Sequence, residues 1–278
     1  FFIFNADIIE LSLFKSILII EYVEIVGNQW IDFNGNRYYY DSDLNPYDGI
    51  KVIDGQKYYF EYGQLVTFEY DGTRTTTVGN TMILYNRNGE VLEEVEIKAN
   101  QWIDFNGGRY YYDENLNPYT GVREIDGQKY YFEGDGKLAN FSSTVKIGNK
   151  LYAYDKNGKV TAEAEIIANK FIDFNGFKYC YDDNFEPYFG VHEVDGQLYY
   201  FEYTGKLSTI DADIIRVNVS NGLLVAYDKE GKVIDQKTIV TGQWIEFYGD
   251  MYYFDSTSTT INGLYTVDGK EYYFHGSA

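Results

Sequence analysis

The motif Gly-x-x-aromatic-aromatic-aromatic-acid recurs along almost the whole chain, and this repetition limits the fold more than any single residue does. It reads Gly35-Asn36-Arg37-Tyr38-Tyr39-Tyr40-Asp41, then Gly55-Gln56-Lys57-Tyr58-Tyr59-Phe60-Glu61, and returns at Gly107 to Asp113, Gly127 to Glu133, Gly196 to Glu202 and Gly249 to Asp255. A chain written this way predicts small similar units, each resting on its sequence neighbours, in place of one continuous globular core.

The glycines fall at ordered steps. Gly35 to Gly55, Gly107 to Gly127, Gly176 to Gly196 and Gly249 to Gly269 are each separated by 20 residues. A more aliphatic unit follows each of the first three pairs, and positions 79, 148 and 221 each precede the next pair by 28 residues. We call these units A, B and C. One A-B-C module spans about 70 residues, as the steps Trp30 to Trp102 (72), Trp102 to Phe171 (69) and Phe171 to Trp244 (73) show. The expected organisation is a degenerate leading unit over 1–29, modules over 30–101, 102–170 and 171–243, and a partial terminal module over 244–278. The leading unit reads as a worn C unit, because Asn5-Ala6-Asp7-Ile8-Ile9 echoes Asp211-Ala212-Asp213-Ile214-Ile215.

Within an A unit, Trp30-Ile31-Asp32-Phe33 runs through Asn34-Gly35 into Arg37 to Tyr40, and the B units turn on Asp-Gly at 54, 126, 195 and 268. Two β-rich runs split by Asn-Gly or Asp-Gly predict a hairpin closed by a type I′ turn, which needs positive φ at both central positions. Alternation places Trp30 and Asp32 on one face and Ile31 and Phe33 on the other, with Tyr39 opposite to Tyr38 and Tyr40. Hairpins apolar on both faces must be covered on both, so the predicted fold is all-β, an elongated β-hairpin solenoid of tandem A-B-C modules. Pro46, Pro118 and Pro187 each lie 11 residues after an A-unit glycine, where a strand has ended and the missing N–H costs no ladder bond. The fourth A unit has Thr260 there, which predicts a looser turn.

Aromatic residues make up 19% of the chain, with 31 Tyr against 3 Pro, so there is ample apolar surface to bury and disorder is not expected. The net charge of −20 repels phosphate backbones and anionic membrane surfaces and argues against nucleic-acid binding. The apolar start from Phe1 to Ile20 is interrupted by Asp7, Glu10 and Lys15, so it is read as structure and not as a targeting or membrane-inserting segment. The chain begins with Phe, which reads as part of a longer protein. Cys180 is the single cysteine and takes the place of Tyr39 and Tyr111 in its A unit, as a small packed side chain.

The B units, Ile53-Asp54-Gly55-Gln56-Lys57-Tyr58-Tyr59-Phe60-Glu61-Tyr62-Gly63-Gln64-Leu65 and Ile125-Asp126-Gly127-Gln128-Lys129-Tyr130-Tyr131-Phe132-Glu133-Gly134-Asp135-Gly136-Lys137-Leu138, resemble the cell-wall-binding, or choline- and glucan-binding, repeat superfamily. The A and B units carry the resemblance over half to two-thirds of the chain, closer to the glucan-binding and clostridial toxin repeats than to the choline-caging ones. It implies a noncatalytic β-hairpin solenoid in a secreted or cell-surface bacterial protein, with a polysaccharide or cell-wall glycan as partner. Choline-type repeats place Trp before the Tyr-Tyr pair, whereas this chain has Arg37, Lys57, Arg109, Lys129, Lys178 or Leu198 there; a cation at that place opposes a quaternary ammonium.

No nucleophile-and-base pair, metal-ligand spacing or unique carboxylate pair stands out, and no cofactor is implied. Asp32, Asp104 and Asp173 recur in every copy and read as architecture; Asp155 and Asp228 fall short of a Ca²⁺ loop and read as turn formers. Among the aromatics, Tyr39, Tyr59, Tyr111, Tyr131, Tyr200, Tyr253 and Tyr273 are expected in the core. Trp30, Trp102, Trp244 and Phe171, with Tyr47, Tyr119 and Tyr188, are the expected exposed platforms for sugar rings. Several weak sites on one chain gain avidity of roughly 10² to 10⁴ against a polymer. The alternative is a structural or adhesive surface rod, directed to a host surface receptor, whose aromatics serve folding and assembly alone.

Overall fold

The computed structural model describes residues 2–4, 22–255 and 261–275. The echo at Asn5 to Ile9, the acidic and basic residues that interrupt the apolar start, and Thr260 lie outside the described residues. The chain divides into two compact units, Phe1–Ile125 with Tyr130–Ala139, and Asp126–Lys129 with Asn140–Ala278. Among the described residues all regular structure is β, in small antiparallel sheets of successive strands.

The turns follow from local chemistry. Asn34 and Gly35 have φ of 48° and 72°, and Asp54 and Gly55 have 51° and 84°, the paired positive values of a type I′ turn. Registers centred on these turns set Trp30 opposite Tyr39 and Asp32 opposite Arg37. A second device closes the motif: the Asp41 carboxylate accepts the N–H groups of Asp43 and Asn45, both at 2.9 Å. Asp113 and Asp182 repeat it on the residues two and four places on, as do Asp155 and Asp228 in the C units. In the first three A units the terminal acid of the motif is thus a turn former, with one oxygen satisfying two backbone donors. Pro46 then bridges Tyr40, while its neighbours carry the hydrogen bonds Asp41 N to Asn45 O and Tyr47 N to Tyr39 O.

In the first compact unit, the hairpins Trp30–Phe33/Asn36–Tyr39 and Gly49–Ile53/Gln56–Glu61 are joined through the short strand Gln64–Leu65 into one five-stranded sheet. Leu138 and Leu207 reach across in the same way, donating their N–H to the carbonyls of Arg109 and Lys178. The C units differ from a plain hairpin. Thr73–Val78, Thr81–Asn86 and Val91–Glu96 form a three-stranded meander, because the second turn at Asn86 to Gly89 sends the chain back along the same sheet. Arg216–Ser220, Leu223–Tyr227 and Val233–Thr238 repeat it in the second unit.

The middle strands of these two C meanders explain why the stretch is aliphatic on both faces. Met82 packs with Ile103, Phe105 and Tyr112 of the following A hairpin, while Ile83 and Tyr85 pack with Tyr59 of the preceding B hairpin. Leu224 and Ala226 likewise meet Ile245 and Phe247, and Val225 and Tyr227 meet Tyr200. A strand with period-2 side chains and a layer on either side must be apolar throughout. The third interface, between A and B of one module, holds Tyr39, Ile53, Phe60 and Leu65.

Cys180 is fully buried in the equivalent cluster with Val194, Phe201 and Leu207, as its alignment with Tyr39 predicts. Of the middle-position tyrosines, Tyr39, Tyr59 and Tyr200 are buried, whereas Tyr111, Tyr131 and Tyr253 are half-buried. Tyr273 departs from the expectation and is exposed; among the described residues no C meander covers its face of the last B hairpin as Ile83 and Tyr85 cover Tyr59.

Candidate functional site

The register of the first A hairpin puts Trp30, Asp32, Arg37 and Tyr39 on one face. Arg37 Nε lies 2.9 Å from Asp32 Oδ1, and the guanidinium carbon lies 5.0 Å from the centre of the Trp30 ring. That hydrogen bond holds the Asp32 carboxyl below the usual carboxylate range and raises the guanidinium. The arrangement recurs with Arg109 4.8 Å from the Trp102 ring and 3.3 Å from Asp104, and with Lys178 5.7 Å from the Phe171 ring and 2.7 Å from Asp173. In the fourth A unit Glu246 and Met251 are the facing residues beside Trp244, so aromatic and acid remain and the cation is gone.

The following B hairpin supplies the other walls. Tyr58 meets Trp30 edge-on at 5.2 Å and Phe60 lies at 5.6 Å. Tyr130 and Phe132 do the same for Trp102, Tyr199 and Phe201 for Phe171, and Tyr272 and Phe274 for Trp244. Tyr47, Tyr119 and Tyr188 join from the A-to-B turn, at 6.0, 5.8 and 5.5 Å from the same phenylalanines. Lys51 sits over the Tyr47 ring at 4.9 Å, Arg123 lies 5.9 Å from the Tyr119 ring, and His192 stacks on Tyr188 at 4.2 Å.

The structure therefore brings the sequence-selected rings together module by module, Trp30 with Tyr47, Trp102 with Tyr119 and Phe171 with Tyr188, around a buried phenylalanine. All seven are half-buried, and none stands free in solvent. Edge and tilted contacts among them are the geometry aromatic quadrupoles favour, so each ring contributes to packing as well as presenting a surface.

A groove of about 420 Å³ opens beside Phe171. Phe171, Tyr199 and Leu207 give it an apolar floor; Lys178, Thr209 and the C-turn residues Lys229, Glu230 and Lys232 give it a polar rim. Its cations are already paired, Lys178 with Asp173, Lys229 with Asp213 and Lys232 with Glu230, at 2.6 to 2.7 Å. Flat apolar surface ringed by fixed donors and acceptors of balanced charge suits a neutral polyhydroxylated ligand. In sequence the C turns carry the marks of turn formers alone. The signal that they reach the groove is the lysine pair flanking Gly231, at Lys229 and Lys232.

Among the described residues no group of three or more His, Cys, Asp or Glu is placed to hold a metal ion, and no helix is long and apolar enough to cross a membrane. The Cys180 thiol is pushed up to about 11 by burial and is not an activated nucleophile.

Fold and site define the chain as a β-hairpin repeat solenoid with an aromatic cluster between the A and B hairpins of each module. No family model matches the sequence. The chain is 29% identical over 213 residues to glucosyltransferase-S of Streptococcus mutans, covering 75% of this chain and 13% of that protein. It is 25% identical over 271 residues to glucosyltransferase-I of Streptococcus downei, covering 86% of this chain and 16% of that protein. The chain thus spans under a fifth of the length of these relatives. Solved structures with similarity include choline binding protein F of Streptococcus pneumoniae, at 20% identity over 91% of this chain and 92% of that one, with a TM-score of 0.27. Alternansucrase in complex with isomaltononaose is another, at 19% identity over 90% of this chain and 19% of that one, also with a TM-score of 0.27. The sequence relatives bear out the resemblance of the repeats to the cell-wall-binding, choline- and glucan-binding repeat superfamily.

Proposed function

We propose that this chain is a noncatalytic module that holds a secreted or surface-displayed bacterial protein against a polysaccharide or cell-wall polymer. The observation that carries the reading is the recurrence of one arrangement: an aromatic ring on an A hairpin, a cation over it, an acid pairing that cation, and B-unit tyrosine and phenylalanine as walls, opening into the groove beside Phe171. Trp30, Tyr47, Trp102, Tyr119, Phe171, Tyr188 and Trp244 are the proposed contact rings. The sequence relatives are glucosyltransferases by name, which favours a glucan over other polymers. Individually shallow sites gain from repetition against a long ligand by roughly 10² to 10⁴ in avidity.

The test is retention on insoluble α-glucan and on peptidoglycan, with Lys229 and Lys232 changed together to Ala at the groove rim and, separately, Trp30, Trp102 and Trp244 changed to Ala. The lysine pair lies at the rim, away from the phenylalanine contacts, whereas the tryptophans pack on Phe60, Phe132 and Phe274, so folding of the tryptophan variants is checked by circular dichroism alongside. Retention of the parent chain on one polymer and its weakening in these variants supports the reading; no retention on either polymer removes it.

A second reading has its own observation. The rings are half-buried and already carry an intramolecular cation, as expected of a structural or adhesive surface element whose aromatics serve folding alone. A host surface receptor is the partner on that reading, and failure on both polymers favours it.

A further inference from the structure

Among the described turns that pair a positive-φ residue with a following glycine, two carry a residue that this backbone disfavours. Paired positive φ at a residue and a following glycine occurs at eight turns whose first residue is Asn or Asp: Asn34, Asp54, Asn106, Asp126, Asn175, Asp195, Asn221 and Asp268. Tyr62 before Gly63 and Tyr248 before Gly249 adopt the same conformation, at φ of 50° and 52°. For a bulky L-residue this left-handed region is disfavoured, because Cβ crowds the following carbonyl; Asn and Asp offset this with local hydrogen bonds and Tyr does not. Neither ring recovers the cost by deep burial. Tyr62 is 86% exposed and Tyr248 is 44% exposed, against an average surface on which large aromatics are mostly covered.

Each of these tyrosines stands at the rim of its own cleft. Beside Tyr62 a cleft of about 250 Å³ carries Glu61, Gln64 and Thr67 as polar groups and Leu65 and Val66 as apolar wall. Gln64 Nε2 is anchored on Asn36 Oδ1 at 3.0 Å, and Glu61 accepts the Tyr59 hydroxyl at 2.5 Å, so both polar walls are held in place. Beside Tyr248 a more open cleft of about 560 Å³ carries Asp235, Gln236 and Glu246 next to Phe247. The Tyr248 ring meets Phe247 edge-on at 4.9 Å, and Lys237 donates to the Glu246 carbonyl at 2.7 Å across the same surface. Strained backbone, exposed ring and adjacent polar cleft coincide twice, at two different places in the module: the B-unit tail and the A-unit turn.

The geometry points to Tyr62 and Tyr248 as two additional saccharide-contact residues, each stacking on the face of a neutral hexopyranose whose hydroxyls meet the carboxylates and amides of its cleft. This rests on the polysaccharide reading above and places contacts outside the tryptophan series. Leu44, Leu116 and Phe185 also hold positive φ, so strain alone does not mark a ligand site; at Tyr62 and Tyr248 it coincides with an exposed ring beside a polar cleft.

That opposition gives the test a signature that a structural role does not produce. Tyr62→Asn and Tyr248→Asn restore the residue the turn prefers, so thermal unfolding of each is expected to move up, by about 2 °C. Retention on the polymer that holds the parent chain, insoluble α-glucan or peptidoglycan, is expected to fall about 3-fold for each variant and about 10-fold for the pair. Tyr62→Phe and Tyr248→Phe keep the ring and are expected to keep most of the retention. If the parent chain is retained and the double Asn variant is retained equally, this inference falls and the polysaccharide reading stands. A lowered unfolding temperature in the Asn variants overturns the strain on which it rests, and failure of the parent chain on both polymers overturns both proposals together.

Discussion

Arg37 lies over the indole of Trp30, 5.0 Å from its centre, while its Nε is hydrogen-bonded to Asp32 on the facing strand. The chain thus supplies from within the cation that an aromatic face attracts. This accounts for the basic residue at the position where choline-type repeats carry Trp: the ring is already occupied by a fixed charge, and a free quaternary ammonium would meet it. Arg37→Met recreates the situation at Met251. It is expected to cost about 0.5–1 kcal/mol of stability in urea unfolding, the range for an exposed cation–π contact, and to alter the Trp30 emission.

Core positions and exposed positions of one residue type should separate cleanly. Leu224 is fully buried between layers and Leu264 is 67% exposed. Leu224→Ala is expected to destabilise the fold by about 2–5 kcal/mol, and Leu264→Ala to stay within about 0.5 kcal/mol. Urea midpoints at unchanged slope provide the measurement.

The turn carboxylates make stability depend on pH. Asp41 and Asp113 have their protonation pushed below the ordinary range, chiefly by the N–H groups of Asn45 and Asn117. The folded chain therefore binds these protons less tightly than the unfolded one. Their contribution is complete above the ordinary aspartate range, about pH 4, and is lost as pH falls through their depressed native values. Replacing both by Ala should lower stability at neutral pH and flatten its decline on acidification, as followed by circular dichroism in a pH series.

Cys180 should be silent to thiol reagents in the folded chain. Its thiol is enclosed and pushed up to about 11 by burial, so labelling at pH 8 is expected only as fast as the structure opens. Rapid stoichiometric labelling of the native chain would contradict the packing described for the Phe201 cluster.

Gly136 tests the close approach between the B tail and the A-to-B turn. Its φ is 85°, and a Cβ there would lie 2.8 Å from Pro118 Cβ. Gly136→Ala is expected to cost about 1–3 kcal/mol through strain and overlap together, whereas Gly134→Ala, with open space around it, should be tolerated.

Much of this was legible in the sequence because the strongest signals are local. Asn34-Gly35 and Asp54-Gly55 dictate their turn dihedrals whatever surrounds them, and alternation assigns Trp30 and Ile31 to opposite faces. Burial of Cys180 followed from its alignment with Tyr39. What was not legible depends on neighbours. Nothing in Trp30 itself tells how far Tyr58 and Phe60 will cover it, so the rings expected as free platforms are half-buried. The third strand of the C meander was hidden because Val91–Glu96, with three glutamates, has one face in solvent and little hydrophobic pattern. Tyr62 and Tyr248 escaped notice for a different reason. In a chain with 31 tyrosines, a tyrosine before glycine draws no attention until its backbone conformation is known.

The two-sided middle strand Thr81–Asn86 has a consequence for how such a chain changes over generations. Because Met82 and Ile83 complete their surroundings with the hairpins immediately before and after, the interior is closed locally and repeats with the module. Gain or loss of one whole repeat by unequal recombination keeps A, B and C hairpins in the same order, so the number of aromatic clusters can drift while contacts of the Met82 and Ile83 kind keep their partners.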